Sequence, residues 1–103
     1  MNNYDCQLTL AIPTALEEEV LDLLLAHPEW VTGFTLFHGE GFGIGSTLRS
    51  TLEKVRGRAQ RTVITLLLQR VQLGSLIELL NNSFPSDEVS WWTSTVDGFG
   101  TLT

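Results

Sequence analysis

The sequence is poor in cysteine, proline, tyrosine and basic residues, and each scarcity closes off a class of protein. Its single cysteine, Cys6, cannot form a disulfide within the chain, which excludes a cross-linked secreted scaffold and favours a reducing compartment. The N-terminal residues are polar and lack a basic stretch followed by an apolar run, so they do not read as a signal peptide. No apolar run approaches the roughly 20 residues of a membrane span. Together these point to a cytoplasmic protein without membrane insertion. Only six residues are Lys or Arg, against twelve Asp and Glu, and the net charge is −6. An acidic balance of this kind argues against nucleic acid as a partner. No Ser or Cys sits in a nucleophile motif, and the adjacent acids Asp87 and Glu88 do not converge on one point. The expectation is therefore a protein that is not an enzyme.

What is present is an ordinary globular composition, with 43% hydrophobic and 17% charged residues over 103 positions. That fits one domain, residues 1–103. A chain this short buries only about two-thirds of its unfolded surface, so self-association would help its stability. The charge is unevenly placed. All six basic residues, Arg49, Lys54, Arg56, Arg58, Arg61 and Arg70, fall between positions 49 and 70, opposed there only by Glu53.

Hydrophobic periodicity gives the elements. Cys6, Leu8, Leu10 and Ile12 alternate with Gln7, Thr9 and Ala11, a period of two that reads as a strand ended by Pro13. Thr14-Ala15-Leu16-Glu17 reads as a capping box opening a helix. Leu16, Val20, Leu23 and Leu24 form that helix's apolar stripe as far as His27, before Pro28. Residues 30–38 are aromatic and β-branched and read as a second strand. Glycine then recurs at every second place, at Gly39, Gly41, Gly43 and Gly45, giving a flexible segment that leads into a basic loop ending at Arg56. Residues 60–69 contain the run Thr62-Val63-Ile64-Thr65-Leu66-Leu67-Leu68, apolar on both faces as in a central strand. Ser75-Leu76-Ile77-Glu78 reads as a second capping box, with a stripe of Leu73, Ile77, Leu80 and Phe84. Val89 to Thr95 reads as a fourth strand that sends Trp91 and Trp92 to opposite faces. The order βαββαβ predicts an α+β ferredoxin-like sandwich, with two helices on one face of a four-stranded antiparallel sheet. The opposite face keeps apolar residues that need a partner.

Gly33-Phe34-Thr35-Leu36 followed by Gly41-Phe42-Gly43 resembles the paired motifs on the second strand of the P-II-like superfamily, here in a short-loop branch. The resemblance implies this same fold, a homotrimer whose sheets pack around a central axis, and a regulatory or signalling role. It also implies that residues 39–56 correspond to the T-loop, responding to a small-molecule or nucleotide effector or contacting a protein partner. Members of the short-loop branch are often encoded beside heavy-metal efflux systems, which suggests a metal-binding or metal-tolerance module as an alternative; an assembly scaffold without a ligand is another. Two departures from the nitrogen sensors stand out. Their second phosphate loop, glycine-rich and bearing lysine, is replaced by Asn82 to Glu88 with no glycine, no lysine and two acids. Their modified T-loop tyrosine is missing, because the only tyrosine is Tyr4.

The candidate ligand- or partner-binding residues are Gly41, Phe42, Gly43, Arg49, Arg56, Arg58 and Arg61. The glycines supply backbone freedom and the arginines supply forked donors for carboxylate or phosphate; a bulge and a solvated strand edge are the plainer readings. The candidate metal ligands are His38 and Glu40, joined by Cys6 if the first two strands bring them close, a donor set suited to zinc or copper. A strand histidine and a core cysteine are the plainer alternatives. The sequence specifies no cofactor.

Overall fold

The computed structural model describes residues 3–42 and 58–103, with only the backbone of Phe42, Arg58 and Ala59. Strand β1 (Cys6–Pro13) leads through a 3-10 turn (Thr14–Leu16) into helix α1 (Glu17–Leu25). Strands β2 (Thr35–Phe42) and β3 (Arg58–Leu68) follow, then helix α2 (Arg70–Ser83) and strand β4 (Ser90–Thr95). The four strands form one sheet in the order β2-β3-β1-β4, and every neighbouring pair is antiparallel. This is the α+β ferredoxin-like sandwich that the element order predicts.

The two-residue period of β1 places its apolar side chains under the helices. Cys6, Leu8, Leu10 and Ile12 are buried, while Gln7, Thr9 and Ala11 between them are half-buried on the outer face. The register carries the same division to β3: Ile12 opposes Thr62, Leu10 opposes Ile64, and Leu8 opposes Leu66. Val20 and Leu24 from α1 and Leu76 and Leu80 from α2 close this core. Each pair is spaced four apart, so both of its members lie on one helical face. Trp91 opposes Leu10 on the helix side and Trp92 opposes Thr9 on the outer side, so the tryptophans do part as their adjacency requires.

Several element ends differ from the sequence expectation. β2 begins at Thr35 rather than at Trp30, because residues 27–31 form a turn in which Trp30 and Val31 both donate to the His27 carbonyl. The histidine ring stacks on Trp30 with centroids 5.3 Å apart. β2 also continues through Gly39, Glu40 and Gly41 to Phe42, paired with β3 from Arg61 to Arg58. The poor strand propensity of glycine is overridden there by the hydrogen-bonding partner alongside. Neither expected capping box forms where the sequence placed it. Glu17 turns its side chain elsewhere, and α2 starts five residues before Ser75, with Gln69 as N-cap reciprocated by Gln72. Ser75 is thus inside the helix, where the amides are already satisfied.

Leu8→Ala should cost about 2–5 kcal/mol, since the side chain is fully buried between sheet and helices. Leu25→Ala, at a side chain 68% exposed, should change stability by no more than about 0.5 kcal/mol. Urea denaturation of the two variants checks both values.

Candidate functional site

β2 is the edge strand that leads into the glycine-rich segment, and its two faces hold different chemistry. On the helix face stands His38, opposite Thr62 of β3. Its Nε2 donates to Oε1 of Glu17, the first residue of α1. The Thr62 hydroxyl, fully buried, donates to the same carboxylate oxygen at 2.8 Å. The Thr62 oxygen lies 3.2 Å from the Thr14 hydroxyl, which has a proton to give it. One carboxylate therefore ties together the start of α1, the middle of β3 and the base of the loop strand.

The outer face of the same strand carries Gly39 and Gly41. Arg61 is opposite Gly39 in register, and its side chain lies diagonally across Gly41. A Cβ at position 41 would meet Arg61 Cγ at 3.0 Å and Nε at 3.3 Å, whereas one at position 39 would meet nothing within 4 Å. A side chain at 41 would therefore press on Arg61, which would have to shift by a few tenths of an ångström to admit it. The Arg61 Nη1 is buried and has no hydrogen-bond acceptor among the described residues.

Farther along the outer face is a cavity of about 370 Å³, lined by Tyr4, Gln7, Thr35, Thr65, Leu67 and Phe99 among others. A volume of that order suits a small organic ligand. Thr65, which lines the cavity, lies four residues along β3 from Arg61, about 13 Å between their backbones, and the Arg61 side chain leans the other way, over Gly41.

The remaining candidates divide clearly. Phe42 closes β2 and pairs with Arg58. Gly43, Arg49 and Arg56, with most of the 39–56 loop, lie outside the described residues. Glu40 shares the helix face of β2 with His38. Cys6 does not come near them: it is buried at the far end of β1, opposite Leu68, while His38 is level with Ile12. Six residues of strand separate the two levels, about 20 Å. The structure therefore does not bring the thiol and the imidazole together, and among the described residues no three His, Cys, Asp or Glu side chains group as metal ligands do. The residues that sequence reasoning missed are Glu17, Thr62, Tyr4 and Phe99. Glu17 and Thr62 are 45 positions apart, and nothing local in the sequence marks the contact.

The hydrogen bond from His38, and then that from Thr62, hold the Glu17 carboxyl below its ordinary value of 4.5. A folded-state pKa depressed in this way adds stability above the unfolded value and loses it as pH falls through the folded one. Stability should thus decline below about pH 4.5, and Glu17→Gln should flatten that part of the profile. Thermal melts of the two proteins across pH 3–6 check this; parallel profiles would exclude the carboxylate as their cause.

A family profile described as "Protein of unknown function (DUF3240)" matches residues 2–103. No curated protein sequence matches the chain. Among solved structures, a DUF3240 family protein from Shewanella baltica OS155 superposes with a TM-score of 0.77 at 17% identity, covering 98% of this chain and 99% of that one. CPII, a nitrogen regulatory PII-like protein from Thiomonas intermedia K12 solved bound to ADP, AMP and bicarbonate, gives 0.70 at 18% identity, covering 97% and 98%. CutA1 from Pyrococcus horikoshii gives 0.70 at 14% identity, covering 92% and 86%. These likenesses establish the PII-like fold, and the profile match over nearly the whole length establishes that the chain belongs to the DUF3240 family.

Proposed function

We propose that this protein is a non-enzymatic regulatory or signalling homotrimer of P-II-like type, whose glycine-rich segment 39–56 responds to a small anionic effector bound on the outer face of the sheet. The observation that carries the reading is Arg61, with its buried Nη1 lacking an acceptor among the described residues and its side chain laid over Gly41. A buried donor left unpaired costs on the order of 1–3 kcal/mol, and more when it is charged. A carboxylate, bicarbonate or phosphate oxygen would supply the missing partner with forked geometry. Such a contact would bear directly on the strand that enters the glycine-rich segment. An effector shifts a loop only through better binding to one of its arrangements, and the Gly41–Arg61 contact is where that difference would arise.

Two further features support the reading. CPII, of the same fold, was solved with ADP, AMP and bicarbonate, all of them anions. The outer face also carries Phe37, 53% exposed, and Trp92, 51% exposed, with Val63 opposite Phe37 in the register. Apolar surface of this kind is what an assembly around the sheet would cover. The acidic Asp87-Glu88 stretch, in place of a second phosphate loop, favours an effector held mainly at one anionic group rather than a triphosphate gripped from two sides.

Isothermal titration with ADP, AMP and bicarbonate tests this. At least one should bind, with Arg61→Ala weakening it roughly tenfold or more, as expected for loss of a charge-assisted pair. Gly41→Ala should weaken it in the same direction by displacing the arginine, while Gly39→Ala, which has room for its methyl group, should not. No heat from any of the three would overturn the effector reading, and a monomer by light scattering would overturn the trimer.

A further inference from the structure

The helix face of the sheet holds a separate cleft, between α2 and the edge strand β4, with a volume of about 510 Å³. That is within the range of small-ligand sites. Leu10 and Leu80, both buried, form its floor. Phe84, the C-cap of α2, and Trp91, which opposes Leu10 in the register and is 48% exposed, give it aromatic walls. The assembly proposed above would cover the outer face of the sheet, not this one. Three residues of α2 line the mouth, Gly74, Glu78 and Asn81, spaced i, i+4 and i+7 on one helical face. Gly74 sits inside the helix, where glycine is the least favoured residue after proline, and nothing lies within 4 Å of where its Cβ would stand. Packing does not call for glycine there; its effect is to leave the cleft open. Glu78 and Asn81 are exposed and, among the described residues, have no hydrogen-bonded or ionic partner. Three positions apart on the helix, they can turn acceptor oxygens toward one group. The other polar group there, the Ser86 hydroxyl, already accepts from the Glu88 amide at 3.1 Å. No basic residue lines the cleft, and Asp87 follows Ser86.

We propose that this cleft binds a small amphiphilic amine, its apolar or aromatic body seated between Phe84 and Trp91 and its ammonium group held at the mouth by the Glu78 carboxylate and the Asn81 carbonyl oxygen. The chemistry follows from the lining. An apolar body gains by leaving water for the leucine floor and the aromatic walls. The one charged group among the lining residues is a carboxylate, and an ammonium has protons to give it and no lone pair to be left unmet. The face of an indole also attracts a cation. A ligand bearing a carboxylate or phosphate would meet Glu78 as a like charge and be rejected. The site does not depend on the effector reading, because Arg61 stands on the other face of the sheet.

The test is an NMR titration of the isotope-labelled full-length protein with three probes of similar size: phenethylammonium, phenethyl alcohol and hydrocinnamate. The ammonium should bind about fivefold more tightly than the alcohol, as expected for one charge-assisted contact near the surface, and the carboxylate should bind least. The Gly74 amide and Trp91 indole signals should shift. Glu78→Gln should bring the ammonium down to the affinity of the alcohol and leave the alcohol within about twofold. Gly74→Leu should fill the cleft and abolish binding of both, while raising the melting temperature by removing a helix-interior glycine; a loss of binding would then not reflect a loss of folding. Alcohol or carboxylate binding as tight as that of the ammonium would overturn the amine assignment, as would an ammonium affinity unchanged in Glu78→Gln. Binding unchanged in Gly74→Leu, shifts confined to residues away from the cleft, or no shift at millimolar ammonium would overturn the site itself.

Discussion

The pairing of β1 with β3 is the constraint on which the rest of the molecule depends. These two strands occupy the centre of the sheet, and their antiparallel register runs from Cys6 opposite Leu68 to Pro13 opposite Arg61. Because side chains alternate strictly along a strand, that register decides at once what every residue faces. It buries Thr62, Ile64, Leu66 and Leu68 beneath the helices and turns Arg61, Val63, Thr65 and Leu67 outward. A slip by one residue would bury the guanidinium and expose the core. The register is therefore held by hydrophobic burial along its whole length and not by any one contact.

The division extends to β2, and with it to the site. Along this strand the helix face carries His38, tied to Glu17, and the outer face carries Gly39 and Gly41 with Arg61 across the latter. Two neighbouring residues thus answer to different layers of the fold. The carboxylate of Glu17 locks the strand to the helix layer, and on the other side Arg61 has a guanidinium nitrogen without an acceptor among the described residues. A strand held firmly on one face and crossed by a guanidinium on the other is well placed to relay a binding event into the segment that follows it. The same face carries the exposed aromatic residues, so effector binding and self-association would share one surface.

Much of the fold was legible in the sequence because its signals are periodic and local. The alternation from Cys6 to Ile12, the stripe from Val20 to Leu24 and the stripe of Leu73, Ile77, Leu80 and Phe84 each identify an element without reference to the others, although in the second helix it is Leu76 with Leu80 that the fold buries most deeply. The site was only partly legible. Arg61 and Gly41 were visible as a basic residue and a glycine, but their contact across the sheet was not. Glu17 read as a capping residue because it stands three positions after Thr14, a pattern that satisfies the local rule whether or not the side chain is drawn away. Thr62 and His38 draw it away, and both come from strands far along the chain. Cys6 and His38 looked like possible co-ligands for the converse reason: composition names the donors but not the strand level at which each one sits.

By itself, then, the sequence determined the order of the elements, most of the residues that form the core, and that the sheet keeps apolar side chains on a face the helices do not cover. These follow from periodicity and burial, which act over a few neighbouring residues. Only the tertiary structure decided that Glu17 joins His38 and Thr62, that Arg61 rests on Gly41, and that Phe99 lines a cavity beside Tyr4. Those contacts depend on strand register and on where the chain returns after its last strand. Register is settled by the summed burial of the whole sheet, and no short stretch of sequence contains that sum.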